Sequence, residues 1–111
     1  VSELVWLLPD PPAECAAFFT AEYPAIGDVA ANERLISGCG FELVDEFVLP
    51  DSSWWDSYYL PLEARLARYR DRFAGDPEKL GLLQPIQTEI DMRRRYAEYY
   101  GYVFFLLRRP A

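Results

Sequence analysis

Phe41-Glu42-Leu43-Val44-Asp45-Glu46-Phe47-Val48-Leu49 is the stretch that decides the fold. It mixes alternation with β-branched and aromatic residues and is stopped by Pro50, which predicts a β-strand. Helical signals flank it on both sides. Upstream, Asp28 caps a helix to about Ser37, ended by Gly38 and Gly40. Before the break at Pro24 and Gly27, Ala16, Phe19 and Tyr23 share one face of a helix over 11–22, and Asp10 ahead of Pro11-Pro12 has the cap-then-proline order of its start. Downstream, Leu62, Leu66, Tyr69 and Phe73 mark an amphipathic helix closed by Gly75. Asp76-Pro77-Glu78 then opens a longer helix to about Tyr99, with Leu83, Ile86 and Ile90 on one face, Pro85 placed to kink it and Gly101 to end it.

The outermost segments are both apolar. Leu4-Val5-Trp6-Leu7-Leu8, ended by Pro9, and Tyr102-Val103-Phe104-Phe105-Leu106-Leu107 read as strands covered on both faces. The order strand, two helices, strand, two helices, strand predicts an α/β fold, with a right-handed crossover if the first two strands are parallel neighbours. The chain enters an interior-type strand almost at Val1 and without a Met, so it is expected to be a fragment.

At 111 residues, 51% hydrophobic and 26% charged, the chain is expected to form one globular domain. Eighteen acids against eleven bases give a net charge of −7, which argues against nucleic acid as a partner. Residues 1–56 hold eleven acids against Arg34 alone, while residues 57–111 hold ten bases against seven acids, so the helical pair is expected to lean on an acidic partner surface. No run approaches the ~20 apolar residues of a membrane span, and the start lacks a basic region and cleavage site; a cytoplasmic location without membrane attachment is expected.

The chain has no histidine, which removes the Ser-His-Asp triad, the Cys-His dyad and nearly every catalytic zinc arrangement. Cys15 and Cys39 lack Cys-x-x-Cys spacing and an adjacent base; they are expected to be two buried reduced thiols without a catalytic part, and no metal site is expected. The six glycines match neither a dinucleotide fingerprint nor a P-loop. Asp45 and Glu46, adjacent on a strand, point to opposite faces and read as a solvated surface. Glu89 with Arg93 and Asp91 with Arg95 are i, i+4 pairs, so Arg93-Arg94-Arg95 reads as mostly solvated. The unusual segment is Asp51 to Tyr59: Trp54 with Tyr58 and Trp55 with Tyr59 sit at helical i, i+4 spacing, giving two aromatic ridges for an apolar or cationic ligand. Packing of these rings onto the sheet is the competing reading.

Glu22-Tyr23-Pro24-Ala25-Ile26, Gly40-Phe41-Glu42-Leu43, Phe47-Val48-Leu49-Pro50, Ser53-Trp54-Trp55-Asp56-Ser57-Tyr58-Tyr59 and Tyr99-Tyr100-Gly101-Tyr102-Val103-Phe104-Phe105 together resemble the C-terminal part of bacterial class I S-adenosylmethionine-dependent methyltransferases. The resemblance spans essentially the whole chain and implies the C-terminal part of a Rossmann-like sheet of three strands, the last antiparallel and slotted between the other two. Residues 51–100 then look like a helical lid insertion between the last two strands. The family's glycine-rich turn and strand-end acid have no counterpart here, so the cofactor, S-adenosylmethionine, belongs to the full-length protein and no cofactor-binding residue is expected in this chain.

Ligands in open α/β sheets bind outside the carboxyl ends of the parallel strands, which makes Asp10, Trp54, Trp55, Tyr58, Tyr59 and Tyr102 candidates for binding a small-molecule acceptor. The leading expectation is the substrate-side part of a methyltransferase, inactive as an isolated chain, with the acceptor and the catalytic residues unassigned. The alternative is a stand-alone α/β ligand-binding or protein-interaction module without catalysis. In either case, if Leu4–Leu8 forms an exposed edge, it should recruit another chain. Light scattering of the isolated chain is therefore expected to show a homodimer or strand-exchanged species; a monodisperse 12.9 kDa monomer would count against it.

Overall fold

The structure, a computed structural model, describes residues 1–110. It divides into two compact units, one formed by Val1–Leu49 with the chain from Glu98 on, the other by Pro50–Ala97.

The first unit is a four-stranded sheet in the order β2-β1-β4-β3, with β1 Ser2–Trp6, β2 Gly27–Asp28, β3 Glu42–Val48 and β4 Tyr100–Arg108. β4 runs antiparallel to both neighbours, so β1 and β3 are parallel to each other with β4 slotted between them, as the resemblance implies. β2 adds a parallel pairing of Val5 with Gly27 and Trp6 with Asp28. Sequence reading gives these two residues only a break and a cap, because a two-residue strand has no period to detect.

Alternation along β4 sorts its side chains. Val103 and Phe105 are buried to 1% exposure against Val5, with Leu7, Leu43 and Leu107 around them and Val29 and Ile36 of α2 (Val29–Gly38) above. On the opposite face, Phe19 of α1 (Ala13–Glu22) meets Trp6 and Tyr100 edge-on at 5.3 and 4.5 Å. Farther along, Phe47 stacks on Phe104 at 5.1 Å while Phe47, Tyr102 and Leu106 stay exposed. Full cover on both faces, expected from the apolar runs, is therefore met on one face and only partly on the other. Gly101 is a strand residue rather than a helix stop: opposite Val5, its missing Cβ would lie 3.1 Å from Leu7 Cδ1.

The helix starts differ in how they are made. Asp28 caps α2, the Ala31 N–H donating to its carboxylate at 2.7 Å. Asp10 does not cap α1, whose cap position is Pro12 at φ −53°, ψ 149°. Pro12 biases Pro11 away from the helical region, so the helix cannot start at Pro11, and it begins at Ala13. Cys15 is buried and Cys39 exposed, both free, which corrects the expectation of two buried thiols. Burial, then the charge of Glu14, pushes the Cys15 thiol above its ordinary range, away from nucleophilic use.

A bulge in β3 between Leu43 and Asp45 shifts the alternation. Leu43 and Glu46 consequently face the same side, and Glu46 pairs with buried Phe105. Its Oε2 is buried without a hydrogen-bond partner, so Glu46 is not on the solvated face its sequence suggests. Desolvation, then the charges of Glu33 and Asp45, raises its pKa. A carboxyl whose folded pKa lies above its unfolded value favours folding when protonated and loses that advantage as pH rises through the shifted range. Glu46→Gln is expected to melt above the parent at neutral pH, with the gap closing below pH 4.5. A gap independent of pH in thermal melts would show that the carboxylate is solvated.

Candidate functional site

In the first unit, β1 and β2 end side by side, Trp6 beside Asp28. Beyond those carboxyl ends lies a groove of about 380 Å³ lined by residues 6–11 and 28–30. The Leu7 N–H donates to the Tyr99 carbonyl at 2.7 Å, fixing the exit from β1 to the residue just before β4. Asp10 lies in this groove with φ +53°, a left-handed conformation uncommon outside glycine and a form of local strain. Asp28 spends its carboxylate on the helix cap, whereas Asp10 has no hydrogen-bond or ion-pair partner among the described residues. Asp10 is thus the available carboxylate of the groove. Tyr102 is opposite Leu4, inside the sheet rather than at that carboxyl edge, and does not line the groove. On β1, Glu3 accepts from the Tyr23 hydroxyl at 3.0 Å, and this bond raises the Tyr23 pKa.

The second unit holds the aromatic segment. It comprises α3 (Asp51–Trp54), a π-helical turn (Trp55–Tyr59), α4 (Leu60–Arg72) and α5 (Pro77–Tyr96). The wider π turn changes which rings meet: Trp54 stacks with Tyr59, five residues on, at 5.9 Å, and Tyr59 also meets Trp55 at 5.4 Å and Tyr58 at 4.9 Å. The expected i, i+4 pair Trp55–Tyr59 is met, but Trp54 pairs with Tyr59 instead of Tyr58, so the two ridges merge into one cluster around Tyr59. Tyr59 is 2% exposed and Trp54 8%, so both are interior; Tyr58 is half exposed and Trp55 partly so.

Arg93 anchors this cluster. Its guanidinium donates from Nε and Nη2 to Asp51 Oδ1 at 3.1 and 3.0 Å and lies 4.1 Å from the Trp54 ring centre. At 3% exposure it is not part of a solvated arginine face. The signal for this was in the sequence: Arg93 follows Ile86 and Ile90 at i+7 and i+3 on the buried stripe of α5. Arg94 donates to both Glu63 oxygens, at 3.0 and 3.1 Å, tying α4 to α5, and its guanidinium lies 4.9 Å from the Trp55 ring centre. Asp91 pairs with Arg94 at 3.4 Å.

Among the described residues no three His, Cys, Asp or Glu side chains gather to hold a metal ion. No described helix is long and apolar enough to cross a membrane. The strand ends also fit S-adenosylmethionine poorly: the turn after β1 contains Pro9, Pro11 and Pro12, which have no N–H to offer, and an amide at the α2 start is taken by Asp28.

No family model matches the sequence, and no curated protein does. Solved structures do match. A SAM-dependent methyltransferase from Geobacter sulfurreducens in complex with S-adenosyl-L-homocysteine superimposes with a TM-score of 0.71 at 17% identity over 98% of this chain and 44% of that one. The chain has the fold of part of a methyltransferase. The corresponding enzyme from Thiobacillus denitrificans, also in complex with S-adenosyl-L-homocysteine, gives the same figures, TM-score 0.71, 17%, 98% and 44%. YjhP from E. coli gives 0.70 at 16% identity over 99% of this chain and 45% of that one. The chain therefore spans less than half the length of the structures it matches.

Asp51→Ala removes the carboxylate from a guanidinium whose side chain is 4% exposed, while Asp51 itself is 57% exposed. Breaking a fully buried pair costs about 3–5 kcal/mol, and solvent at Asp51 reduces this, so a loss of about 1–2 kcal/mol is expected. Chemical denaturation measures it, and a neutral result would show that the Asp51 carboxylate is not needed to hold Arg93.

Proposed function

We propose that this chain is the substrate-side, C-terminal part of an S-adenosylmethionine-dependent methyltransferase and that its groove at the ends of β1 and β2 receives the methyl acceptor. The single observation carrying this reading is the strained, unpartnered Asp10 in a groove at the carboxyl edge of parallel strands. That edge is where open α/β sheets bind ligands. The methyl donor is assigned to residues of the full-length protein outside this chain. Methyl transfer asks for alignment of acceptor, methyl and sulfur and for exclusion of water, demands that a chain without histidine can meet by shape. Tyr58, with its half-exposed ring, is proposed as a separate ligand contact in the second unit.

Two measurements test the proposal. Calorimetry with S-adenosylhomocysteine is expected to give no binding by the 111-residue chain and clear binding by the full-length protein; tight binding by the short chain would overturn the assignment. Asp10→Asn keeps a residue that tolerates the left-handed backbone while removing the charge. In the full-length enzyme it is expected to weaken acceptor use by roughly tenfold with S-adenosylhomocysteine affinity unchanged. Unchanged acceptor kinetics would remove Asp10 from the site.

A further inference from the structure

A second feature of the Pro50–Ala97 unit is independent of the methyltransferase reading. Arg65, Arg68 and Arg72 lie three and four residues apart on α4, hence on one face, and with Tyr69 they line a groove of about 320 Å³. The other arginines and the lysine whose bonds are described in this unit are engaged: Arg70 by Gln87, Lys79 by Asp76, Arg93 by Asp51 and Arg94 by Glu63. Arg65, Arg68 and Arg72 have no such partner among the described residues. Three uncompensated guanidiniums on one face are unexpected in a chain of net charge −7. The negative end of the helix dipole accounts for Arg72 in the last turn but not for Arg65 or Arg68.

We propose that this face of α4 binds a phosphoanhydride chain, either free or carried by a nucleoside. The planar fork of arginine matches phosphate oxygens two at a time. From Arg65 to Arg72 the helix rises by about 10 Å, longer than a single phosphate and suited to a row of them. Tyr69, 40% exposed at the side of the row and stacked on Phe73 at 5.7 Å, supplies a held ring on which a base can lie. A long nucleic acid meets the repulsion of the whole acidic chain, whereas a compact ligand meets chiefly the local positive field.

Calorimetry of the 111-residue chain with sodium tripolyphosphate, ATP and citrate decides the matter. Tripolyphosphate and ATP are expected to bind, and Arg65→Gln with Arg68→Gln is expected to weaken both by roughly tenfold or more. The control pair Arg34→Gln with Arg109→Gln removes the same charge elsewhere and is expected to leave binding within about twofold. Tyr69→Ala separates the sources: weaker ATP with unchanged tripolyphosphate identifies a nucleotide site, and equal affinities identify a site for the bare chain. Absence of binding, equal loss in the control pair, or citrate binding as tightly as tripolyphosphate would overturn the proposal. Glutamine is a good helix former, so matched melting temperatures confirm that the variants are folded.

Discussion

The first unit depends on β4 lying antiparallel between β1 and β3. A strand with neighbours on both sides has its backbone groups taken up by the ladder, so its side chains can be apolar along its whole length. Val103 and Phe105 form the centre of the core because the pairing places Val103 opposite Glu3 and Val48, and Phe105 opposite Glu46. The same pairing brings Leu7 Cδ1 to 3.1 Å from where a Cβ at position 101 would lie, so a larger residue there would make the Leu7 side chain shift by a few tenths of an ångström. It also makes β1 and β3 parallel without their touching. The carboxyl end of β1, and so the groove holding Asp10, is oriented by a strand about a hundred residues away in sequence.

The long elements were legible because they repeat. The apolar run of β4, the mixed alternation of β3 and the Asp28 and Asp76 caps each carry local signals, and the structure contains them. What was not legible depends on a break in the period or on a partner distant in sequence. A bulge at Val44 turns Glu46 toward Phe105, and no alternation rule announces where an extra residue enters. A π turn over Trp55–Tyr59 brings Trp54 to Tyr59 instead of to Tyr58 at i+4, while the i+4 pair Trp55–Tyr59 persists, so the rings form one cluster on Tyr59. Asp10 ahead of two prolines looks like a cap, but Pro12 biases Pro11 away from the helical region and the helix begins at Ala13. That displacement leaves its carboxylate outside the helix cap.

The two readable faces of the arginine-rich helices separate structure from binding by one criterion, whether the charge has a partner. Arg93 continues an apolar stripe, is desolvated, and is compensated by Asp51 and by the face of Trp54. A cation in that setting fixes geometry, because moving it would strand a charge away from water. Arg65, Arg68 and Arg72 are solvated and uncompensated, so retaining a favourable environment in water costs them nothing until an anion arrives. Identical side chains on adjacent helices thus have different chemistry, set by burial and not by residue type.

The same criterion separates the carboxylates. Glu46 has one carboxylate oxygen buried without a hydrogen-bond partner, and desolvation, then the charges of Glu33 and Asp45, raises its pKa. Asp28 has its carboxylate committed to the Ala31 N–H at the start of α2. Asp10 is exposed, unpaired and held in a left-handed backbone conformation by the chain around it, which is the condition in which a carboxylate can orient a ligand without first giving up another bond. Methyl transfer, the reaction proposed above, asks of the acceptor side placement more than proton transfer.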